Sequence, residues 1–436
     1  EISCSLVGSE MCIRDRNFIN RNEIANGVYF TNIKDSRFKT MKISVNIVVP
    51  LSVETASENA LVGGLLVRSC KKYPDFTVLS KKLSSLYGAD LTSSLSKHGE
   101  SQVIKISVSG LDDRYSLDDV SIAKELSELL CSVIFEPNVK NNAFIESELE
   151  QERRQLLDVI DSEFNEKRIY AMGQLIKHMC KDEVFGIKRY GTAEKIKAAT
   201  AESLCKAWQN LLKTAKFEIL YIGDSPADKA KEVFAKAFAN IERNVVTSST
   251  DVVKNVSKEK HITEEMELSQ SKLVMGFRTQ ISAGDEEAVA ERLMCAVLGG
   301  TASSKLFNNV REKQSLCYYC SSSYDSIKGI MYINSGVEGE NLEKAEKAIL
   351  KEIEDMKNGE ITDFEIEATK LAVVNSFKSS SDSVSGIENW YTGRIFNGDL
   401  ETVEEVSAEV NAVTKEQIVN AANKLLLDTV YVLKNK

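Results

Sequence analysis

Histidine is scarce in this chain: 436 residues contain three, His98, His178 and His261, each far from the others. A metal-based catalyst therefore has little imidazole to work with. Proline is nearly as rare, at four residues, and no apolar run approaches the roughly 18 residues needed to cross a bilayer. No membrane partner is expected. Positive charge is in the minority, with 55 Lys and Arg against 65 Asp and Glu, and the net charge of -10 argues against nucleic acid as a partner. What is present, 43% hydrophobic and 28% charged residues, describes a helix-rich globular chain with ample material for a core.

Residues 1–16, EISCSLVGSEMCIRDR, have no apolar centre and no small-residue cleavage site, so they do not read as a secretory signal. The stretch from Ser5 to Asp15 resembles a translated sequencing adapter, and the segment is read as adapter-derived or disordered and left out of the fold. Two of nine cysteines, Cys4 and Cys12, fall in it, and the odd number remaining points to reduced, cytoplasmic thiols. Cys317 and Cys320 have C-x-x-C spacing without a second pair. On an alternating strand, residues three apart point to opposite faces, so these two thiols are not expected to converge.

An internal duplication organises the rest. Thr200 to Tyr221 and Thr414 to Leu433 each pair a capped amphipathic helix with an apolar strand, and Thr200, Glu202, Ala207 and Leu211 match Thr414, Glu416, Ala421 and Leu425 at one offset. Both halves open with a strand and a helix, ISVNIVVPL from Ile43 and SKLVMGFRTQI from Ser271. The expected fold class is α+β, with two homologous domains, each a mostly antiparallel sheet covered by helices on one face, the other face free to line a chamber. The expected boundaries are 17–224 for the first domain, 225–265 for a linker and 266–436 for the second. Two such domains make half of a clamshell.

Four stretches carry a more specific resemblance: PLSVETASENALVGGLLVRSC after the first long strand, LSSLYGADL at 83–91, LGGTASSKLFNNVREKQSLCYYCSSS at 298–323 and ITDFEIEATKLAV at 361–373. From about residue 17 onward the chain resembles the pitrilysin/insulinase (inverted-zincin) metallopeptidase family, in particular a non-catalytic bacterial branch. The resemblance implies a mitochondrial-processing-peptidase-like half clamshell and a bacterial cytoplasmic setting. Active members carry H-x-x-E-H on the first helix, two histidines for zinc and a glutamate as general base.

Here that slot falls on Ala60, Leu61, Val62, Gly63 and Gly64, in a helix whose Thr55 and Glu58 read as a capping box. None of the five can hold a metal. The family's third ligand, a glutamate, falls on Val159 within ERRQLLDVI, and a slip of one would bring up only Asp158. No metal and no cofactor are expected. His98, His178 and His261 read as solvent or helix-surface residues. Gly63 and Gly64 each cost about 1 kcal/mol in a helix relative to Ala, which either close packing offsets or a relaxed, dead site tolerates.

The resemblance also implies that an Arg and a Tyr seven residues apart reach the substrate carbonyl. Arg311 and Tyr318 stand at that spacing, after a glycine-rich loop in which Gly299 and Gly300 match and Thr301 replaces a third glycine. A guanidinium and a phenol suit an oxyanion. The alternatives are an ion pair of Arg311 with Glu312 or Asp285, and a packed strand tyrosine. The implied function is a pseudopeptidase that pairs with a zinc-bearing paralogue as a heterodimer, encloses peptide and supplies Arg311 and Tyr318 in trans, gripping peptide at a sheet edge. The alternative is a homodimeric peptide-binding or scaffold protein with no part in proteolysis. A third possibility is a peptidase that uses another site.

Overall fold

The computed structural model describes residues 18–117 and 120–436, so the segment 1–16 set aside above lies outside the described residues. Two compact units emerge, and neither is continuous in sequence. The first is built from the chain up to Asp158, Lys188–Ser249 and the short piece Ser383–Asn389; the second takes Val159–Ile187, Thr250–Asp382 and Trp390–Lys436. Each unit therefore includes a helical piece from the opposite half of the sequence. The region 225–265 contains the helix Asp228–Phe238 and a strand, Lys260–Met266.

In the first unit the strands are β1 (Ile19–Ala25), β2 (Val28–Lys34), β3 (Thr40–Pro50), β4 (Asp90–His98), β5 (Ser101–Leu111), the short hairpin of β6 (Val139–Lys140) and β7 (Ala143–Phe144), and β8 (Lys216–Gly223). Six form one sheet in the order β1-β2-β8-β3-β5-β4, antiparallel except for β2 beside β8. Asn26-Gly27 closes the β1–β2 hairpin, with Gly27 at φ +64°, where only glycine is comfortable. Alternation divides this sheet sharply. Ile43, Val45 and Ile47 of β3 lie beside Ile104, Ile106 and Val108 of β5 and Phe217, Ile219 and Tyr221 of β8, all fully buried. The helices Ala56–Leu66, Ile122–Phe135 and Ala201–Thr214 pack on the sheet. The opposite face is mixed: Lys42, Ser44, Asn46, Lys105, Ser107 and Glu218 share it with the buried Val48, Val103, Leu220 and Ile222.

The second unit holds β9 (Lys260–Met266), β10 (Ser271–Arg278), β11 (Cys317–Asp325), β12 (Ile330–Val337) and β13 (Leu426–Asn435), ordered β11-β12-β10-β13-β9. Only β13 and β9 run parallel. The order of the first sheet, read as β4-β5-β3-β8-β2, is reproduced strand for strand, including the position of the parallel pair. The duplication read from sequence is thus a duplication of topology. Leu273, Met275 and Phe277 of β10 point into a core with the helices Ala288–Cys295, Leu342–Lys357 and Lys415–Asn423.

One expectation needs correction here. The second sheet is not open on its other face: Val274, Ile330, Tyr332, Tyr431 and Leu433 form a further core with Ala171, Leu175 and Met179 of the helix Lys167–Met179. Gly276 admits that helix, since a Cβ there would lie 2.5 Å from the Met179 sulfur. The reason lies in residue chemistry. Where the first sheet presents Ser44 and Asn46, the second presents Val274 and Gly276, which an apolar helix stripe can cover.

Candidate functional site

The helix Ala56–Leu66 is buried almost all round, and polar side chains fix it in place. Ser57 Oγ donates to the Tyr190 carbonyl at 3.3 Å, and Asn59 Nδ2 donates to Gln102 Oε1 at 3.0 Å. Gln102 Nε2 in turn donates to the Ala56 carbonyl at 2.9 Å. Thr55 occupies the N-cap but makes no side-chain capping bond; its hydroxyl lies 3.4 Å from Ser52 Oγ, so the capping box read from sequence does not form.

Within the five-residue slot, Ala60, Leu61, Val62 and Gly63 are buried and offer no donor atom. At Gly63 a Cβ would lie 2.7 Å from Ile104 Cγ2, and at Gly64 it would lie 1.9 Å from Glu152 Oε1. The two glycines therefore have packing roles. The space where a side chain at position 64 would begin is filled by the Glu152 carboxylate, brought in by the helix Glu146–Asn165. That carboxylate is neutralised by Arg68, whose guanidinium donates to Glu152 Oε2 at 3.0 Å and 2.9 Å and to Gln151 and Gln155 at 3.0 Å and 2.7 Å. Val159, at the position of the third ligand, is exposed.

The family's zinc does not fit these residues: positions 60, 63 and 64 supply no ligand atom, and the nearest carboxylate is committed to an arginine. Among the described residues no group of three or more His, Cys, Asp or Glu side chains is placed to hold a metal ion. His98 ends β4 and is not a solvent histidine; burial, aided by Lys105, pushes its pKa down to about 4. His178 stacks on Tyr431 with ring centroids 6.2 Å apart, and His261 lies 3.8 Å from Glu346.

In the second unit, Arg311 lies in the helical turn Leu306–Lys313, over the Phe307 ring at 4.6 Å and 3.6 Å from Glu312. The Glu312 contact weighed from sequence is present. Tyr318 is placed by a β-bulge in β11. Cys317 pairs with Val337 and Tyr319 with Gly336, which leaves Tyr318 as the extra residue, 52% exposed, its hydroxyl donating to Glu338 Oε1 at 2.5 Å. The bulge also overturns the expectation for the cysteines. By inserting one residue it turns Cys317 and Cys320 to the same side, where the thiols hydrogen-bond each other within one core. That bond and the charge of Arg311 hold the Cys317 thiol below its ordinary pKa.

Gly299 lets the glycine-rich loop close on β11, since a Cβ there would sit 2.6 Å from the Ser322 amide nitrogen. Ser322 Oγ donates to the Cys295 carbonyl at 2.6 Å, tying strand to loop. Gly300 makes a looser contact, 3.2 Å from Ala296 Cβ. The loop thus positions the strand that bears Tyr318.

Residues 198–373 match the model of the peptidase M16 inactive domain. The chain is 29% identical over 402 residues, 92% of its length and 94% of the relative's, to the probable inactive metalloprotease YmfF of Bacillus subtilis. The chain is similar to the M16 inactive-domain proteins. An uncharacterized zinc protease of Bacillus subtilis, YmxG, is 25% identical over 66% of the chain and 70% of its own length. Among solved structures, a conserved protein from Enterococcus faecalis superposes with a TM-score of 0.88 at 28% identity, over 96% of this chain and 99% of that one. An M16 inactive domain protein from Pseudomonas fluorescens gives 0.79 at 18% identity, over 96% and 98%, which supports the fold alone. The chain shares the fold of these relatives, and at the helix positions where the resemblance puts the metal motif it has a glycine-seated ion pair. No helix among the described residues is long and apolar enough to cross a membrane.

Two site residues escaped the sequence reading, Glu152 and Arg68. The available signal was Arg68 itself, one helical turn beyond Gly64 and without an acidic neighbour on its own helix face.

Proposed function

We propose that this M16 protein is a non-catalytic subunit that pairs with an H-x-x-E-H paralogue, helps enclose peptide and presents Tyr318 and Arg311 to the partner's active site. The observation that carries the reading is the contrast between a metal slot closed by Glu152 and Arg68 and a tyrosine that a bulge lifts out of an edge strand. A donor for an oxyanion has to be reachable, and Tyr318 is half-exposed, its hydroxyl bonded only to Glu338 among the described residues, a bond that substrate would have to replace. The terminal strands β4 and β11 add unpaired backbone for sequence-tolerant grip.

The test is reconstitution. Purified chain is titrated into a zinc-bearing paralogue from the same source, with peptide cleavage and association measured in parallel. Cleavage rises on mixing; Tyr318→Phe and Arg311→Ala remove most of the gain while co-elution is unchanged. A chain that co-elutes only with itself and leaves cleavage unchanged would sink the proposal.

A further inference from the structure

The second unit contains a cavity of about 450 Å³, within the range of small-ligand sites, that the reading above does not use. It opens between the loop before the helix Ala288–Cys295, the end of the helix Val384–Asn397 and the helix Val403–Ala412. Two arginines line it, and they differ. Arg394 is fully engaged, its guanidinium bonded to both Asp399 and Glu401. Arg292, partly exposed, has no hydrogen bond or ion pair among the described residues; its guanidinium lies 5.9 Å from the Phe377 ring, and the Asp399 carboxylate bears on it only at longer range. Burial, reinforced by the charge of Arg394, lowers its pKa, and Tyr324 and Asp399 offset this only in part. A partly buried guanidinium without a hydrogen-bonded anion is costly to maintain, and elsewhere in the same unit the buried Arg278 is matched by Glu183 and Asp428.

The mouth carries the opposite sign. Asp285, Glu286 and Glu409 line the cavity and are exposed, and the Asp285 carboxylate already caps its own loop by accepting from the Ser282 amide at 2.7 Å. A simple inorganic anion must pass three carboxylates to reach Arg292. A molecule with a carboxylate at one end and an ammonium at the other satisfies both regions at once.

We infer that this cavity binds a small zwitterion, a free amino acid or a short peptide, with its carboxylate on the Arg292 guanidinium and its ammonium toward Asp285, Glu286 and Glu409. The volume accommodates either, and the inference does not depend on any partner subunit.

Isothermal titration of the full chain with alanine, trialanine, N-acetyl-trialanine, trialanine amide and sodium phosphate tests it. Alanine or trialanine binds, and which of the two binds more tightly identifies the source of the zwitterion. Amidation weakens trialanine by about tenfold or more, as expected for loss of a charge-assisted contact; acetylation weakens it less, and phosphate does not compete. Arg292→Gln abolishes binding, and Arg292→Lys, which keeps the charge, retains part of it. Should Arg292→Gln fail to fold, the amide and acetyl comparisons on the unaltered chain still decide. No heat from alanine or trialanine, equal affinity for the amide, or undiminished binding by a folded Arg292→Gln overturns the inference.

Discussion

The two sheets share one topology and differ in what they do with their second face. In the first, Ser44, Asn46, Ser107 and Glu218 set polar groups among Val103, Leu220 and Ile222 on that face, and Lys42 and Lys105 hold Glu388 at 2.6 Å and 3.0 Å. In the second, Val274, Tyr332 and Tyr431 make it apolar, and the helix Lys167–Met179 covers it. Duplication preserved the hydrogen-bonded framework because ladder geometry does not depend on which face is buried, while side chains on the second face were free to diverge. One sheet kept buried polar groups on that face and the other became an apolar packed layer.

Charge burial separates the units further, and this gives the largest expected effect. Glu388 is buried, which raises its pKa, but Lys105 and Lys42 outweigh that and hold it below the ordinary value. Glu291, in the second unit, is fully buried with both oxygens lacking a hydrogen-bond partner among the described residues, and burial pushes it up to about 8, with Lys424 opposing and Glu287 adding. The signs are opposite. A depressed carboxyl contributes stability above its unfolded value that is lost as pH falls; a raised one leaves stability intact below about 4.5 and removes it as pH climbs toward 8. Thermal melts from pH 5 to 9 are expected to show a falling midpoint that Glu291→Gln flattens, with the variant ahead by roughly 2–4 kcal/mol at pH 9. Parallel curves for the two proteins would remove the contrast between a matched and an unmatched carboxylate.

The glycines sharpen the comparison at a smaller scale. Gly299→Ala drives a Cβ against the Ser322 backbone, which belongs to a strand and cannot step aside, so a loss of about 2–3 kcal/mol is expected in urea unfolding. Gly300→Ala, facing only Ala296 at 3.2 Å, is expected to cost less than about 1 kcal/mol. Equal costs at the two positions would mean that the loop is not seated on β11 as described.

Much of this was legible in the sequence. Val and Ile alternation in Ile43–Leu51 and Ser271–Ile281 marked the central strands, and the repeated helix-strand endings marked the duplication, because both depend on local periodicity. What escaped depends on register or on distant partners. The bulge at Tyr318 is set by how β11 pairs with β12, and no local signal in Cys317–Asp325 specifies which residue is skipped. The Arg68–Glu152 pair joins residues 84 apart. The helix Lys167–Met179 showed its stripe of Ala171, Leu175 and Met179 at four-residue spacing, yet nothing in that stripe named the second sheet as its cover; Gly276, a glycine inside a strand, was the clue to a close approach.

The smallest expected effect lies in the closed slot itself. Gly64→Ala places a Cβ at the Glu152 carboxylate, but the obstacle is the end of a flexible side chain, and alanine recovers about 1 kcal/mol of helix propensity. The two effects nearly cancel, so the single change is expected to move stability by less than about 1 kcal/mol. Arg68→Ala leaves a partly buried carboxylate without its cation and is expected to cost about 1–2 kcal/mol. The informative quantity is their coupling. If position 64 is kept empty for the ion pair, displacing Glu152 already spoils its bond to Arg68, and the double variant is less destabilised than the sum by about 0.5–1 kcal/mol in a double-mutant cycle. Strict additivity would mean that the glycine serves the helix alone, and that the ion pair forms independently of position 64.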